Sequence, residues 1–131
     1  MKALTIKEPF ASLVLNKKKI IETRSWKTSY RGELYIHAGM AKVTKKVLNR
    51  AGLKKLLGTD DYEKYGLIIC KCKLVDCIYM DEKYIEYIKN NRPDQYICGR
   101  YEVGRYAWIL EDIEPLEKPI PKKGQLSIWN F

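Results

Sequence analysis

The stretch that most constrains the fold is GLIICKCKLVDCIYM, residues 66–80, in which charged and apolar side chains alternate. Lysines at 71 and 73 occupy one set of positions, and the other set holds Cys70, Cys72 and Leu74. A two-residue period is typical of a β-strand with one buried face. We therefore predict one long strand here, and the rest of the chain has to be arranged around it.

The remaining segments predict further strands and a few helices. Strands are predicted over residues 2–6, 20–26, 33–38, 105–113 and 125–131. Helices are predicted over residues 8–19, 42–57 and 80–91, the first with Pro9 in its opening turn. Residues 116–124 contain two prolines and are predicted to be an extended loop. This mixture indicates an α+β fold, a small barrel or curled sheet with two or three flanking helices.

Chain length and charge limit the classes of function. The 131 residues fit one domain, residues 1–131. Residues 1–55 carry 14 lysines and arginines against 3 acids, whereas residues 56–131 carry 11 against 13. This asymmetry favours a polyanionic partner, nucleic acid first and an anionic membrane second. The alternative is a surface that is basic throughout and has no particular partner.

The four cysteines and the lack of a long apolar segment indicate whether the chain binds a metal and where in the cell it works. The cysteines are expected to be reduced thiols, because no second CxxC accompanies the CKC of residues 70–72 and one histidine is present. No metal and no cofactor are therefore expected. No apolar run approaches the roughly 18–20 residues that span a bilayer. We expect a soluble, cytoplasmic protein that does not enter the membrane.

The candidate site begins in IIETRSW, residues 20–26. In an extended chain, Glu22, Arg24 and Trp26 face one side, next to Lys19 at the end of the preceding helix. Glu22 can hold Lys19 or Arg24 by charge-assisted hydrogen bonds. The held cation can then contact a phosphate while Trp26 stacks on a base. A plain surface ion pair is the alternative, worth about 0–1 kcal/mol.

Three other places in the sequence hold candidate site residues. A turn at SYRG would expose Tyr30 and Arg31, a pair suited to base stacking and phosphate contact. Lys123 follows two prolines and can rim the same cleft. His37 either binds or acts as a general base, or is a satisfied core side chain.

The run KKKIIETRSWKTSYRGELYIHA, residues 17–38, resembles the signature of the ASCH domain family, which is related to PUA-like folds. That signature reads G-x-K-x-x-E-x-R, often followed by W, Y-R-G and H-A. The matching positions are Lys19, Glu22, Arg24, Trp26, Tyr30, Arg31, Gly32, His37 and Ala38. Residues 74–77 and 104–131 are similar to the family's middle and closing strands. One departure is Lys17, which stands where the signature has glycine.

The resemblance implies a PUA-like β-barrel with the signature on the floor of a cleft and RNA, or another single-stranded nucleic acid, as partner. The resemblance is also compatible with a second function, that of a small hydrolase. Some ASCH proteins are similar to amidohydrolases that use a lysine, a threonine and a glutamate, and others are linked to ribonuclease activity. Here Glu22 occupies the position of that threonine, which argues against the amidohydrolase. The possible catalytic pair is Lys19 and Glu22.

Overall fold

The computed structural model describes all 131 residues, and its strands form one mixed, six-stranded sheet. The strands are β1 Lys2–Ile6, β2 Ile21–Arg24, β3 Gly32–Ala38, β4 Leu67–Tyr79, β5 Tyr106–Pro121 and β6 Ile128–Asn130. They follow the order β2-β5-β4-β3-β1-β6, with β1 and β3 parallel and every other pair antiparallel. The predicted α+β class is confirmed.

The long strand predicted from the alternating pattern is β4, in the middle of the sheet. Cys70, Cys72 and Leu74 on one face of β4 are buried in the main core, whereas Lys71 and Lys73 stay outside it. All four cysteines are free thiols, and burial raises the pKa of Cys72 to about 12. The two cysteines of CKC therefore contribute apolar packing.

The sheet curls into a half-barrel. Arg24 Nη2 on β2 donates a hydrogen bond of 2.7 Å to Thr5 O on β1, although three strands separate β2 from β1 in the sheet. Such a bond requires the two ends of the sheet to approach each other. The interior is filled by Leu4, Ile36 and Trp108 from the sheet, with further apolar side chains from the first helix.

Five short helices flank the sheet, rather than two or three. They are α1 Phe10–Leu15, α2 Lys45–Leu48, α3 Leu53–Leu57, α4 Glu82–Asn91 and α5 Pro93–Ile97. The single helix predicted over residues 42–57 is wrong, because Gly52 adopts φ +84 and breaks it into α2 and α3. None of the five is both long and apolar enough to cross a membrane.

The prediction of a loop over residues 116–124 is partly wrong, because β5 continues to Pro121. Ile120 lies opposite Ile68 and Pro121 opposite Leu67. Strand β2 accompanies β5 only along residues 106–109, so the rest of β5 has one free edge. Proline lacks a backbone N–H and is tolerated on such an edge.

Candidate functional site

The turn after α1 brings Lys19 into the interior. The backbone N–H groups of Lys18 and Lys19 both donate to Leu13 O, at 2.9 and 3.0 Å, so the chain folds back over the helix end. Lys17 makes this reversal with φ +63, a left-handed conformation that is usual for glycine. The lysine that replaces the signature glycine thus adopts the backbone conformation that glycine would favour.

The Lys19 side chain is 1% exposed and all of its protons are engaged. Nζ donates to Cys98 O at 2.7 Å and to Ile21 O at 2.9 Å, and it lies 3.1 Å from Glu22 Oε1. An ammonium has three donors, so these partners occupy all of them. Lys19 therefore lies beneath the site, where it orders the backbone and Glu22.

Glu22 links the buried lysine to an arginine at the surface. Its Oε2 accepts from Arg24 Nε at 2.9 Å, while its Oε1 faces Lys19. Burial alone would raise the pKa of Glu22, but the adjacent charges of Lys19 and Arg24 outweigh it and hold the pKa below its ordinary value. As strand alternation predicts, Glu22 and Arg24 share a face, and the carboxylate binds both cations at once.

Four consecutive backbone carbonyls, those of Ile97–Arg100, each accept from a cationic side chain; we call Ile97–Arg100 the anchoring segment. Cys98 O accepts from Lys19. Arg50 Nη1 donates to Ile97 O at 2.7 Å and to Gly99 O at 3.5 Å, and Arg105 Nε donates to Arg100 O at 3.1 Å. These carbonyls orient two cations from distant parts of the chain, Lys19 and Arg50, and one that follows the segment, Arg105.

Gly99 allows the anchoring segment to lie against β2. A Cβ at Gly99 would be 2.7 Å from Thr23 Cγ2 and 2.9 Å from Tyr101 Cε1, closer than packed carbon atoms approach. Thr23 in turn holds the segment, since its Oγ1 accepts from Arg100 N at 3.0 Å. Thr23 is thus a structural contact of the segment.

Above Glu22 and the anchoring segment lies a cleft of about 630 Å³. Its lining contains five cations and one acid: Lys7, Arg24, Arg50, Arg100, Arg105 and Glu22. Phe10 and Trp26 add aromatic surface, with the Arg50 guanidinium 5.3 Å from the Phe10 ring centroid. The cleft combines strong positive potential with aromatic surface.

Three of the predicted site residues, Glu22, Arg24 and Trp26, line this cleft, and Lys19 lies beneath it. Trp26 is half-buried and lies perpendicular to Trp108, with ring centroids 4.6 Å apart. The indole of Trp108 donates to Trp26 O at 3.4 Å. Trp26 therefore has a fixed position at the cleft.

Tyr30, Arg31 and Lys123 lie outside the residues that line the cleft. The Tyr30 hydroxyl donates to Glu33 O, and its ring packs on the main core. Arg31 is exposed and donates to Thr28 O at 3.0 Å. Lys123 is exposed as well. The structure does not bring these three to Glu22 and Arg24.

His37 is completely buried, and both of its ring nitrogens have partners. Nε2 lies 2.7 Å from Lys122 O, and Nδ1 lies 3.1 Å from Thr5 Oγ1, which also accepts from Trp129 Nε1. Because a carbonyl only accepts, Nε2 carries the proton and Nδ1 accepts from the threonine hydroxyl. His37 thereby fastens the loop after β5, whose residues 125–127 rim the cleft.

Sequence reasoning missed most of the cations in the cleft. Arg50 belongs to the helix predicted over residues 42–57, whose basic face was interpreted equally as a solvated surface or as a nucleic-acid contact. Arg100 and Arg105 precede β5 without any recognised spacing to residues 19–24. Lys7 was not singled out either. The excess of positive charge in residues 1–55 indicated a basic site only in general terms. Arg100 and Arg105 lie outside those residues.

A curled mixed sheet with short flanking helices is the architecture of a PUA-like domain, a fold generally linked to RNA binding. The family model of the ASCH domain matches residues 4–120. The chain therefore belongs to the ASCH domain family.

Curated relatives and solved structures agree with this assignment. The chain is 28% identical over 135 residues to human (Homo sapiens) activating signal cointegrator 1 and 26% identical to its mouse (Mus musculus) counterpart. The match covers 98% of this chain but only 22% of each relative. The crystal structure of ASCH from Zymomonas mobilis superposes with a TM-score of 0.57 at 16% identity, over 92% of this chain and 72% of that one. A point mutant of that protein gives 0.54 at 17% identity, over 92% and 74%.

Proposed function

We propose that this chain binds single-stranded nucleic acid, RNA in preference to DNA, in the cleft above Glu22. One observation carries the proposal: five cations line a cleft of about 630 Å³ that contains a single carboxylate. The negative charge of that carboxylate is already balanced by Lys19, which lies beneath it. A site with this surplus of positive charge selects a polyanion and releases counterions when it binds one.

The size and lining of the cleft favour an unpaired strand. A volume of this order is typical of small-ligand sites, about 300–1,000 Å³, and admits a nucleotide or two but no duplex. Trp26, fixed against Trp108, offers a ring on which an unpaired base can stack, at about 1–3 kcal/mol per base. Unpaired and splayed bases are also the usual targets of RNA-binding domains.

The proposed roles divide the residues into two groups. Arg24, Arg50, Arg105 and Trp26 contact the nucleic acid, whereas Lys19, Glu22 and His37 position them or the rim of the cleft. Tyr30, Arg31 and Lys123 remain predicted contacts for a longer strand that continues outside the cleft. We further propose that residues 1–131 act as one domain and, because the thiols are free, that the protein works in the cytoplasm.

Hydrolysis of RNA or of a modified nucleoside is less well supported. Every proton of Lys19 has a protein partner, and both oxygens of Glu22 face cations. A general base needs an oxygen within reach of the proton that it removes and a pKa near the working pH. The lowered pKa of Glu22 makes it a weak base. The arrangement suits the positioning of Arg24 better than proton transfer.

The test is a titration of end-labelled single-stranded RNA at two salt concentrations, each sample divided between native and denaturing gels. We expect an intact, shifted RNA whose affinity falls steeply with salt. Arg105→Gln should weaken binding roughly tenfold and lower the salt slope by about 1. Arg92→Gln removes an exposed arginine outside the cleft and should change little. Equal losses in both variants, or no shift at all, would refute the proposal, and shortened RNA would establish a hydrolase.

A further inference from the structure

Three arginines of the cleft are held by backbone carbonyls. Arg24 Nη2 donates to Thr5 O at 2.7 Å, and Arg50 Nη1 donates to Ile97 O at 2.7 Å. Arg105 donates to Arg100 O at 3.1 Å and to Thr23 O at 3.4 Å. A carbonyl fixes the direction of a guanidinium but leaves its charge in place. A paired carboxylate would neutralise that charge. All three guanidinium groups are therefore preorganised. Arg24 shares its charge with Glu22, whereas Arg50 and Arg105 have no carboxylate partner and remain fully positive.

Each of these arginines keeps at least one nitrogen without a protein partner. In Arg24 and Arg105 this nitrogen is Nη1, and in Arg50 both Nε and Nη2 are without partners. Guanidinium N–H groups form a planar fork that matches the oxygens of a phosphate. The unpartnered nitrogens belong to residues that line the cleft, so they can donate to the oxygens of a ligand bound there.

The charge balance of the cleft exceeds what one internal phosphodiester supplies. Glu22 is matched by Lys19, and Arg100 pairs with Glu102 at 2.9 Å. Arg24 shares Glu22, whereas Arg50 and Arg105 have no acidic partner within 4.0 Å. A phosphodiester carries one negative charge, but a phosphomonoester carries about 1.5 to 2 at pH 7 and presents three acceptor oxygens.

We propose that the cleft recognises a terminal phosphomonoester, so that the protein binds the phosphorylated end of a single strand rather than an internal segment. This inference rests on the proposed function and specifies its ligand. Arg24, Arg50 and Arg105 hold the phosphate, and the terminal base stacks on Trp26, which lines the same cleft as Arg24. The phosphate belongs to a 5′ end, a 3′ end or a free nucleotide, which share the same chemistry.

The experiment compares one short, internally labelled RNA in three forms: with a 5′-phosphate, with a 3′-phosphate, and with hydroxyl groups at both ends. Fluorescence anisotropy with the full chain should show one phosphorylated form binding roughly tenfold more tightly than the hydroxyl form. A nucleoside monophosphate should compete, and the corresponding nucleoside should not. Equal affinity for all three forms would overturn the inference and leave the proposed function intact. Binding to none would overturn the proposed function as well.

Variants connect the preference to the arginines. Arg50→Gln, at an exposed position, should abolish the discrimination between phosphate and hydroxyl ends while the protein stays folded. Arg50→Lys should restore part of it, because the charge returns without the fork. Arg92→Gln is the control and should retain the full preference. A preference that survives in both Arg50→Gln and Arg105→Gln would place the phosphate elsewhere and refute the inference.

Discussion

Two glutamates are buried almost equally, Glu8 at 3% and Glu22 at 6% exposure, yet their surroundings move their pKa values in opposite directions. Glu22 lies between two cations. Glu8 has only neutral donors: Ser12 N at 2.8 Å, Ser12 Oγ at 2.7 Å and Lys64 N at 3.0 Å. Burial raises the pKa of Glu8, and these hydrogen bonds offset it only in part.

The two glutamates show how this chain uses buried charge. Three neutral donors hold a carboxyl in place but do not fully offset its burial, so its pKa stays above the ordinary value, whereas two cations bring the pKa below it. Glu8 fastens the loop that contains Lys64 to the start of α1 and does not line the cleft. The Glu22 carboxylate accepts from Arg24 and thereby orients that side chain at the cleft. One carboxyl serves the fold and the other serves the proposed site.

The largest effect is expected from Lys19→Met, which removes the cation beneath Glu22. It should lower the free energy of unfolding by about 3–5 kcal/mol, because a buried carboxylate loses a partner and two carbonyls lose a donor. Urea unfolding measures this loss. Lys55→Met, at an exposed position of α3, should stay within about 0.5 kcal/mol. A cost below about 1 kcal/mol for Lys19→Met would mean that the ion pair does not stabilise the fold.

Glu22→Gln should come next, at about 3 kcal/mol, since it leaves Lys19 buried without a counter-charge. It also frees Arg24 from its carboxylate, so the affinity for RNA should fall together with the stability. Urea unfolding and RNA titration on the same preparation test both expectations. Full RNA affinity in this variant would show that Arg24 needs no help from Glu22.

Glu8→Gln should cost less, about 1 kcal/mol. The amide can accept with only one atom, so one of the donors around Glu8 loses its acceptor, but no charge is left uncompensated. Affinity for RNA should be unchanged because Glu8 lies outside the cleft. If this substitution destabilised the protein as much as Glu22→Gln, the distinction between the two glutamates would fail.

The smallest effect is a pH dependence of opposite sign at the two positions. The folded-state pKa of Glu22 lies below its ordinary value of 4.5, so its contribution to stability is present above pH 4.5 and is lost as the pH falls through the folded-state pKa. The folded-state pKa of Glu8 lies above 4.5, so its contribution is present below pH 4.5 and is lost as the pH rises through the folded-state pKa. Urea unfolding across this pH range measures the free energy of unfolding of both glutamine variants. Each variant should lose the pH dependence that its own glutamate contributes and keep the other. Parallel curves would contradict the assignment.

Local patterns in the sequence predicted much of the framework and part of the site. Alternation located β4 and placed Glu22 and Arg24 on one face, and the acidic start of α4 marked a helix that Asp81 caps. The break at Gly52 was missed because the apolar spacing of residues 42–57 continues across it. The strand through Pro119 and Pro121 was missed because a free edge is a property of the sheet, which the local sequence does not contain.

The rest of the site depends on contacts between distant segments. Lys19 was predicted to contact a ligand, but nothing in the spacing shows that Cys98 O, 79 residues away, occupies one of its protons. His37 was interpreted either as a site residue or as a satisfied core residue. One of its partners is Thr5 on β1, and the other is Lys122 O in a loop 85 residues further on. Tyr30 and Arg31 are adjacent in sequence to the site, but the turn directs them elsewhere.

The anchoring segment has a consequence for how such a cleft evolves. Carbonyl oxygens belong to every amino acid, so residues 97, 98 and 100 can change their side chains without altering the groups that orient Lys19, Arg50 and Arg105. Gly99 is the exception, because any side chain there meets Thr23. The orientation of these three cations therefore depends on the path of the backbone, which an inserted residue would damage more than most substitutions.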